Sequence, residues 1–226
     1  MQIATYIDHT ILKPTCLVAD IERVCNEAVE YGFAAVCIPP PFVRRVKTIL
    51  APTKVKIATV VGFPFGYAPI ESKVAETVLS IVDGADELDM VINLIALKNG
   101  DWDYLEKEIT LIRDIIKQKG KILKVILESG VLTEDEIIRC CSLYAKAGAD
   151  FAKTSTGYAE KGATLEAVQL MRRHLPSSVQ IKASGGIRTY EFARQLIEAG
   201  ATRLGASASV NIVKEEAYHN LKRSEN

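Results

Sequence analysis

Two lysines stand where strand-like segments give way to turns: Lys153 ahead of Thr154-Ser-Thr-Gly157, and Lys182 ahead of Ala183-Ser-Gly-Gly-Ile-Arg188. They lie one strand–helix unit apart, a spacing that would set both ammonium groups on neighbouring parallel strands facing one mouth. Two positive charges held close disfavour each other's protonation, so one can stand as a neutral amine at working pH. A neutral amine attacks carbonyls. For one lysine alone the plainer reading is a solvated side chain at a rim, because most lysines are exposed; the second lysine shifts that balance. Asp89 ends Asp86-Glu-Leu-Asp89 inside a short apolar run. A carboxylate there serves either as the salt-bridge partner of an inward lysine or as a proton shuttle, and the residues alone leave both readings open.

A second constellation is Ser184-Gly-Gly-Ile-Arg188 together with Leu204-Gly-Ala-Ser-Ala208. Each precedes a helical stretch, where free backbone N–H groups and the helix dipole can hold a phosphate. Arg188 and Ser207 could add side-chain contacts. The plainer alternative is a pair of glycine turns that only close strand–helix connections. Two such turns after the late strands of a barrel, a frequent phosphate position, favour the anion site. Cys37, Cys140 and Cys141 read as packed thiols, since no histidine has a visible pairing with them.

The elements that would position these residues alternate regularly. Strand-like runs fall near Ala4–Thr10, Ala34–Ile38, Val55–Val61, Glu87–Ile92, Leu123–Leu127, Asp150–Thr154, Val179–Ala183 and Arg203–Gly205. Helical periodicity fills Ala19–Tyr31, Pro41–Leu50, Ile70–Asp83, Trp102–Lys119, Thr133–Ala147, Thr164–His174, Thr189–Ala199 and Ser207–Leu221. Thr133-Glu-Asp-Glu136 has the spacing of a capping box, and Asp101 and Thr189 are candidate N-caps. Gly32, Gly84, Gly148 and Gly200 follow helical stretches as C-terminal caps. This alternation predicts an α/β fold, a single (β/α)8 TIM barrel whose N-terminal strand and helix lead into the repeat. An open doubly wound sheet would place a glycine-rich phosphate turn after its first strand, and none follows Ala4–Thr10. The 226 residues read as one domain, 1–226, with 221–226 a frayed polar tail.

Composition narrows the function class. Lys+Arg and Asp+Glu balance at 28 each, which argues against nucleic-acid or anionic-membrane partners and confines any phosphate site to a local patch. No apolar run approaches the roughly 18 residues of a membrane span, and the start lacks the pattern of a signal peptide, so the expected location is the cytoplasm. The five cysteines show no Cys-x-x-Cys spacing, and His9, His174 and His219 are far apart. A metal-dependent mechanism is poorly supported.

Asp8-His-Thr10, Gly62-Phe-Pro64, Asp86-Glu-Leu-Asp-Met-Val-Ile-Asn93, Lys124-Val-Ile-Leu-Glu128, Phe151-Ala-Lys-Thr-Ser-Thr-Gly157 and Lys182-Ala-Ser-Gly-Gly-Ile-Arg-Thr189 occur in this order. Together they resemble the deoxyribose-phosphate aldolase family, from about Asp8 to Val213. The resemblance implies a metal-free class I aldolase on a (β/α)8 barrel, without organic cofactor. It would reversibly cleave 2-deoxy-D-ribose 5-phosphate to D-glyceraldehyde 3-phosphate and acetaldehyde. It further implies that Lys153 forms the Schiff base, Lys182 depresses its pKa, and Asp89 relays protons. Asp8 and Lys124 would complete the site, and Gly157, Gly185, Gly186, Arg188, Gly205 and Ser207 would hold the phosphate. The resulting iminium would act as the electron sink for breaking the bond between the third and fourth carbons. Homodimers or homotetramers are implied as well. A transaldolase-like barrel acting on another phosphosugar is the alternative. The chain departs from the family pattern at Ile95 (often glycine), at Ala208 (often serine) and in its Lys222-Arg-Ser-Glu-Asn226 end, where many members carry a tyrosine.

Overall fold

The computed structural model describes residues 2–224. Strands β1 (Ile7–Thr10), β2 (Ala35–Ile38), β3 (Lys56–Val61), β4 (Glu87–Val91), β5 (Ile122–Ile126), β6 (Phe151–Lys153), β7 (Gln180–Ser184) and β8 (Arg203–Ala206) follow one another around a closed barrel. Neighbours pair in parallel, and β8 returns to β1. Helices α1 (Val18–Tyr31), α2 (Val43–Leu50), α3 (Ile70–Asp83), α5 (Trp102–Gln118), α6 (Glu134–Ala147), α7 (Leu165–His174), α8 (Tyr190–Glu198) and α9 (Ser209–Ser224) form the crossovers, and a short α4 (Leu94–Lys98) precedes α5. The architecture is the (β/α)8 TIM barrel that the alternation of runs predicts.

Local chemistry sets the boundaries. Thr133 Oγ1 accepts from the Glu136 N–H at 3.2 Å, and the Glu136 carboxylate accepts from the Thr133 N–H at 2.8 Å, so the capping box forms at the start of α6. Asp101 and Thr189 accept from Tyr104 and Phe192 in the same manner. Gly148 ends α6 at φ +71°, a conformation that costs a side-chain-bearing residue about 1 kcal/mol or more. Gly200 falls one residue past the cap of α8, which is Ala199.

Three local differences from the sequence-based expectation have physical causes. The first half of the expected Ala4–Thr10 strand is a 3-10 turn, Ile3–Tyr6. Ile3 and Ala4 are buried there, and the Ile3 N–H donates to the Glu216 carboxylate of α9, so this segment packs against the last helix instead of joining the sheet. Helix α4 lies where no element was expected; Asn93 caps it by accepting from the Ala96 N–H at 3.1 Å. The expected frayed tail is helical as far as Ser224, and residues 225 and 226 lie outside the described residues.

Burial divides the barrel in two. Between strands and helices lies the apolar core, with Val36, Ile57, Leu88, Leu123, Val125, Ile181 and Leu204 on the outward strand faces. Inside, β2 and β3 carry a separate small cluster of Ala35, Cys37, Ala58 and Val60. The inward faces of the other strands each carry charge, as Asp8, Glu87, Asp89, Lys124, Lys153, Lys182 or Arg203, and the period-two alternation of β4 puts Glu87 and Asp89 on one face. Among the described residues no helix is long and apolar enough to cross a membrane.

Candidate active site

Register places the two lysines side by side: Lys153 of β6 pairs with Lys182 of β7. Their ammonium groups meet on one carboxylate oxygen, Asp89 Oδ2, at 2.8 Å from Lys153 and 2.7 Å from Lys182. The other oxygen of Asp89 accepts from Lys124 Nζ at 2.8 Å. Lys182 also donates to Asp8, and Lys124 lies 2.6 Å from Glu87. Arg203 of β8 closes the network, reaching Asp8 at 2.5 Å and Glu87 at 2.8 Å. Asp8, Asp89, Lys124 and Lys182 are fully buried, so an unpaired charge at any of them would be costly.

The network treats its cations unequally. Burial pulls the Lys153 ammonium below its ordinary pKa, and the charge of Lys182 adds to that against the pull of Asp89. Burial acts on Lys182 in the same direction, but Asp8 and Asp89 together outweigh it and leave Lys182 raised. Lys124 is raised for the same reason by Asp89 and Glu87. Burial pushes Asp89 up, yet the charges of Lys124, Lys153 and Lys182 hold it well below the carboxylate range. Asp8 is likewise held low, by Lys182 and Arg203 against its burial. Lys182 and Lys124 each touch two carboxylates, whereas Lys153 touches Asp89 and has a fixed positive charge beside it. At neutral pH it is the lysine of this set most disposed to be a free amine.

Access follows the same division. A cleft of about 870 Å³ opens at the C-terminal ends of the strands, and Lys153 lines it while Lys124, Lys182, Asp8 and Asp89 lie outside its wall. Gly157, Gly185, Gly186, Arg188, Gly205 and Ser207, the residues expected to hold the phosphate, all line this cleft. Gly185 adopts φ +86°, and a Cβ there would meet Gly162 Cα at 3.1 Å and Gly157 Cα at 3.3 Å. Glycine is therefore needed twice over, for its dihedral and for the contact of the β6–α7 and β7–α8 connections. Ala163 N–H donates to the carbonyls of Ser184 and Gly185 at 3.0 Å and fixes the two segments together.

Several participants are not evident from the sequence. Glu87 and Arg203 are partners only because barrel closure brings β8 to β1 and across to β4. Glu128, at φ +59°, accepts from the Thr156 N–H at 3.2 Å and from its hydroxyl, which anchors the turn after Lys153. Its charged neighbourhood in Lys124-Val-Ile-Leu-Glu128 was the available signal. Tyr158 donates to the Leu12 carbonyl at 2.9 Å and stacks edge-on against Phe63, spanning loops from β6, β1 and β3. Nothing in its local sequence announces that role.

A family model described as DeoC/LacD family aldolase matches residues 2–215. A deoxyribose-phosphate aldolase from Thermoanaerobacter sp. (strain X514) is 52% identical over 225 residues, covering 99% of this chain and 100% of that protein. One from Thermococcus gammatolerans is 51% identical over 216 residues, covering 95% and 96%. Among solved structures, the tetrameric deoxyribose phosphate aldolase from Aeropyrum pernix superposes with a TM-score of 0.89 at 32% identity, covering 97% of this chain and 92% of that one.

Proposed function

We propose, for a chain that belongs to the DeoC/LacD family of aldolases, the reversible cleavage of 2-deoxy-D-ribose 5-phosphate to D-glyceraldehyde 3-phosphate and acetaldehyde through a Schiff base on Lys153. One observation carries the site assignment: Lys153 is the member of the buried lysine set that both lines the cleft and is shifted toward the neutral amine.

The lone pair of Lys153 Nζ adds to C1 of the open-chain sugar, and loss of water gives the iminium. The bond that breaks is C2–C3, in place of C3–C4: its electrons pass to the carbon beside the iminium, forming an enamine, and the products then have two and three carbons. Loss of the C3 hydroxyl proton leaves the aldehyde of glyceraldehyde 3-phosphate. Protonation of the enamine at C2 and hydrolysis release acetaldehyde and restore the amine. Asp89 contacts both Lys153 and Lys182, which suits it to pass protons between them; held well below the carboxylate range, it relays a proton without storing one. Lys182 supplies the fixed charge that disfavours protonation of Lys153, while Asp8 and Lys124 hold Lys182 and Asp89 in place. Gly157, Gly185, Gly186, Gly205, Ser207 and Arg188 are the proposed phosphate holders, contributing orientation.

The same proposal treats 1–226 as one catalytic unit, acting in the cytoplasm without metal or organic cofactor. Homo-oligomeric assembly belongs to it, supported by the tetrameric relative from Aeropyrum pernix. Borohydride reduction with deoxyribose 5-phosphate or acetaldehyde, followed by peptide mass mapping, tests the site: the expected adduct is on Lys153. An adduct on another lysine overturns the role assignment, and no adduct overturns the mechanism. Product analysis tests the substrate, since a transaldolase-like enzyme would transfer a ketol unit in place of releasing acetaldehyde.

A further inference from the structure

His9 follows Asp8, which belongs to the ionic interior, and both His9 and Thr10 border the cleft. The alternation of β1 turns its ring away from Asp8, toward Glu27 of α1 and Ser209 at the start of α9. The residue is 2% exposed. Nδ1 lies 3.0 Å from the Ser209 hydroxyl, Nε2 lies 2.6 Å from the Glu27 carboxylate, and the ring tilts against Phe33 at 5.0 Å. The Ser209 oxygen is also 2.8 Å from the Ala206 carbonyl. Glu27 has a second partner in Arg23, whose Nη1 lies 3.1 Å from both carboxylate oxygens and whose side chain lines the cleft. None of these side chains has a part in the chemistry on Lys153, yet His9 pairs in register with Ala206, which lies between Gly205 and Ser207.

This cluster has few protons to share. Burial holds the His9 imidazole below its ordinary pKa against the pull of Glu27, with Arg23 adding to the lowering and the Ala206 carbonyl opposing it. Burial pushes Glu27 up, but its bonds to His9 and Arg23 outweigh it and leave the carboxylate low. A neutral imidazole has one N–H, and it must sit on Nε2, because an ionised Glu27 only accepts. Nδ1 then offers a lone pair to the Ser209 hydroxyl, whose single proton is shared between Nδ1 and the Ala206 carbonyl, a group that only accepts. These contacts of Ser209, 3.0 Å to His9 and 2.8 Å to the Ala206 carbonyl, tie the turn between β8 and α9 to strand β1.

We infer that His9 is a positioning residue for the phosphate end of the cleft, holding the Gly205–Ser209 turn through Ser209 and anchored from behind by Glu27. The inference rests on the aldolase reading above, and the reacting carbons are at the other end of the substrate, on Lys153. Its loss is expected in ground-state binding of the phosphorylated sugar more than in turnover.

The test compares deoxyribose 5-phosphate with unphosphorylated 2-deoxyribose. His9→Leu is expected to raise KM for the phosphorylated sugar about tenfold, the scale of one lost hydrogen bond around a charged group, with a smaller change in kcat. The ratio of kcat/KM between the two sugars should fall by the same factor. Ser209→Ala, a small change that keeps the helix start, should give the same shift, and the double variant should be no worse than the poorer single one. His9→Asn, whose amide can stand where Nδ1 stood, should recover part of the loss. Equal proportional losses for both sugars, additive losses in the double variant, or an unchanged KM would overturn the inference. Failure of the unsubstituted protein to cleave deoxyribose 5-phosphate would overturn the aldolase reading with it, and is told apart because it needs no substitution.

Discussion

Lys153 and Lys182 are the same residue type in adjacent register, and their different states follow from what surrounds each nitrogen. Their pairing is visible in the sequence, because both lysines lie where strand-like runs meet turns, one strand–helix unit apart. That burial, ahead of Lys182, is the larger cause lowering Lys153 is not visible there, since burial depends on the whole fold. Removing the charge in Lys182→Met takes away one influence that lowers Lys153 and leaves Asp8 and Asp89 less compensated; both changes raise the Lys153 pKa. The ascending limb of the kcat/KM profile, which reports loss of the Lys153 proton, should then move to higher pH by about one unit or more, equivalent to about tenfold less free amine at neutral pH. Activity should partly return as pH is raised. Breaking a buried pair is also expected to cost about 3–5 kcal/mol, so the variant's folding is checked by denaturation alongside its pH profile. A profile that keeps its position while only its height falls would remove Lys182 from the tuning of Lys153.

Most elements were legible because many strand–helix units carry their own punctuation beside an apolar stripe: a capping residue at the start of α5, α6, α7 and α8, a terminal glycine at the end of α1, α3 and α6. Thr133 illustrates how local that information is. Thr133→Ala removes the acceptor for the Glu136 N–H and should lower stability by about 1 kcal/mol in urea unfolding, with turnover unchanged. The 3-10 turn Ile3–Tyr6 was not legible in that sense, because the N–H of Ile3 is satisfied by Glu216 from the far end of the chain. The role of Gly162 was hidden for the same reason. Its Cβ position lies 2.3 Å from the carbonyl oxygen of Gly185, a backbone atom that cannot swing aside. Gly162→Ala must push the β7–α8 turn away from the β6–α7 connection. The expected result is a several-fold rise in KM for the phosphorylated substrate and a loss of about 1–3 kcal/mol in stability. Unchanged KM with the substitution in place would show that the two connections move independently.

At the scale of the whole molecule, the barrel interior is an ion network that closes the ring of strands. Arg203 of β8 binds Asp8 of β1 and Glu87 of β4, and Lys124 of β5 binds Glu87 and Asp89. These links could not be read from sequence, since neither Glu87 nor Arg203 has a sequence neighbour that predicts its partner. They make stability depend on pH in a definite direction. Asp8 and Asp89 are held below the carboxylate range in the fold but return to it on unfolding, so the unfolded chain takes up protons first. Their contribution is complete above the unfolded carboxylate pKa of about 4 and is lost as pH falls from there toward the folded values. Denaturant midpoints should therefore decline gently below about pH 6.5, where the unfolded histidine takes up a proton that buried His9 does not, and then fall steeply below about pH 4. Added salt should change the slope little, because charges buried in the barrel are screened much less than surface pairs. The comparison that isolates the network is Asp8→Asn with Arg203→Met, which removes one carboxylate and one of its cations together. Its acid slope should be shallower than that of the unsubstituted protein even where its absolute stability is lower. An identical slope in both proteins would place the acid sensitivity in the surface carboxylates and not in the barrel.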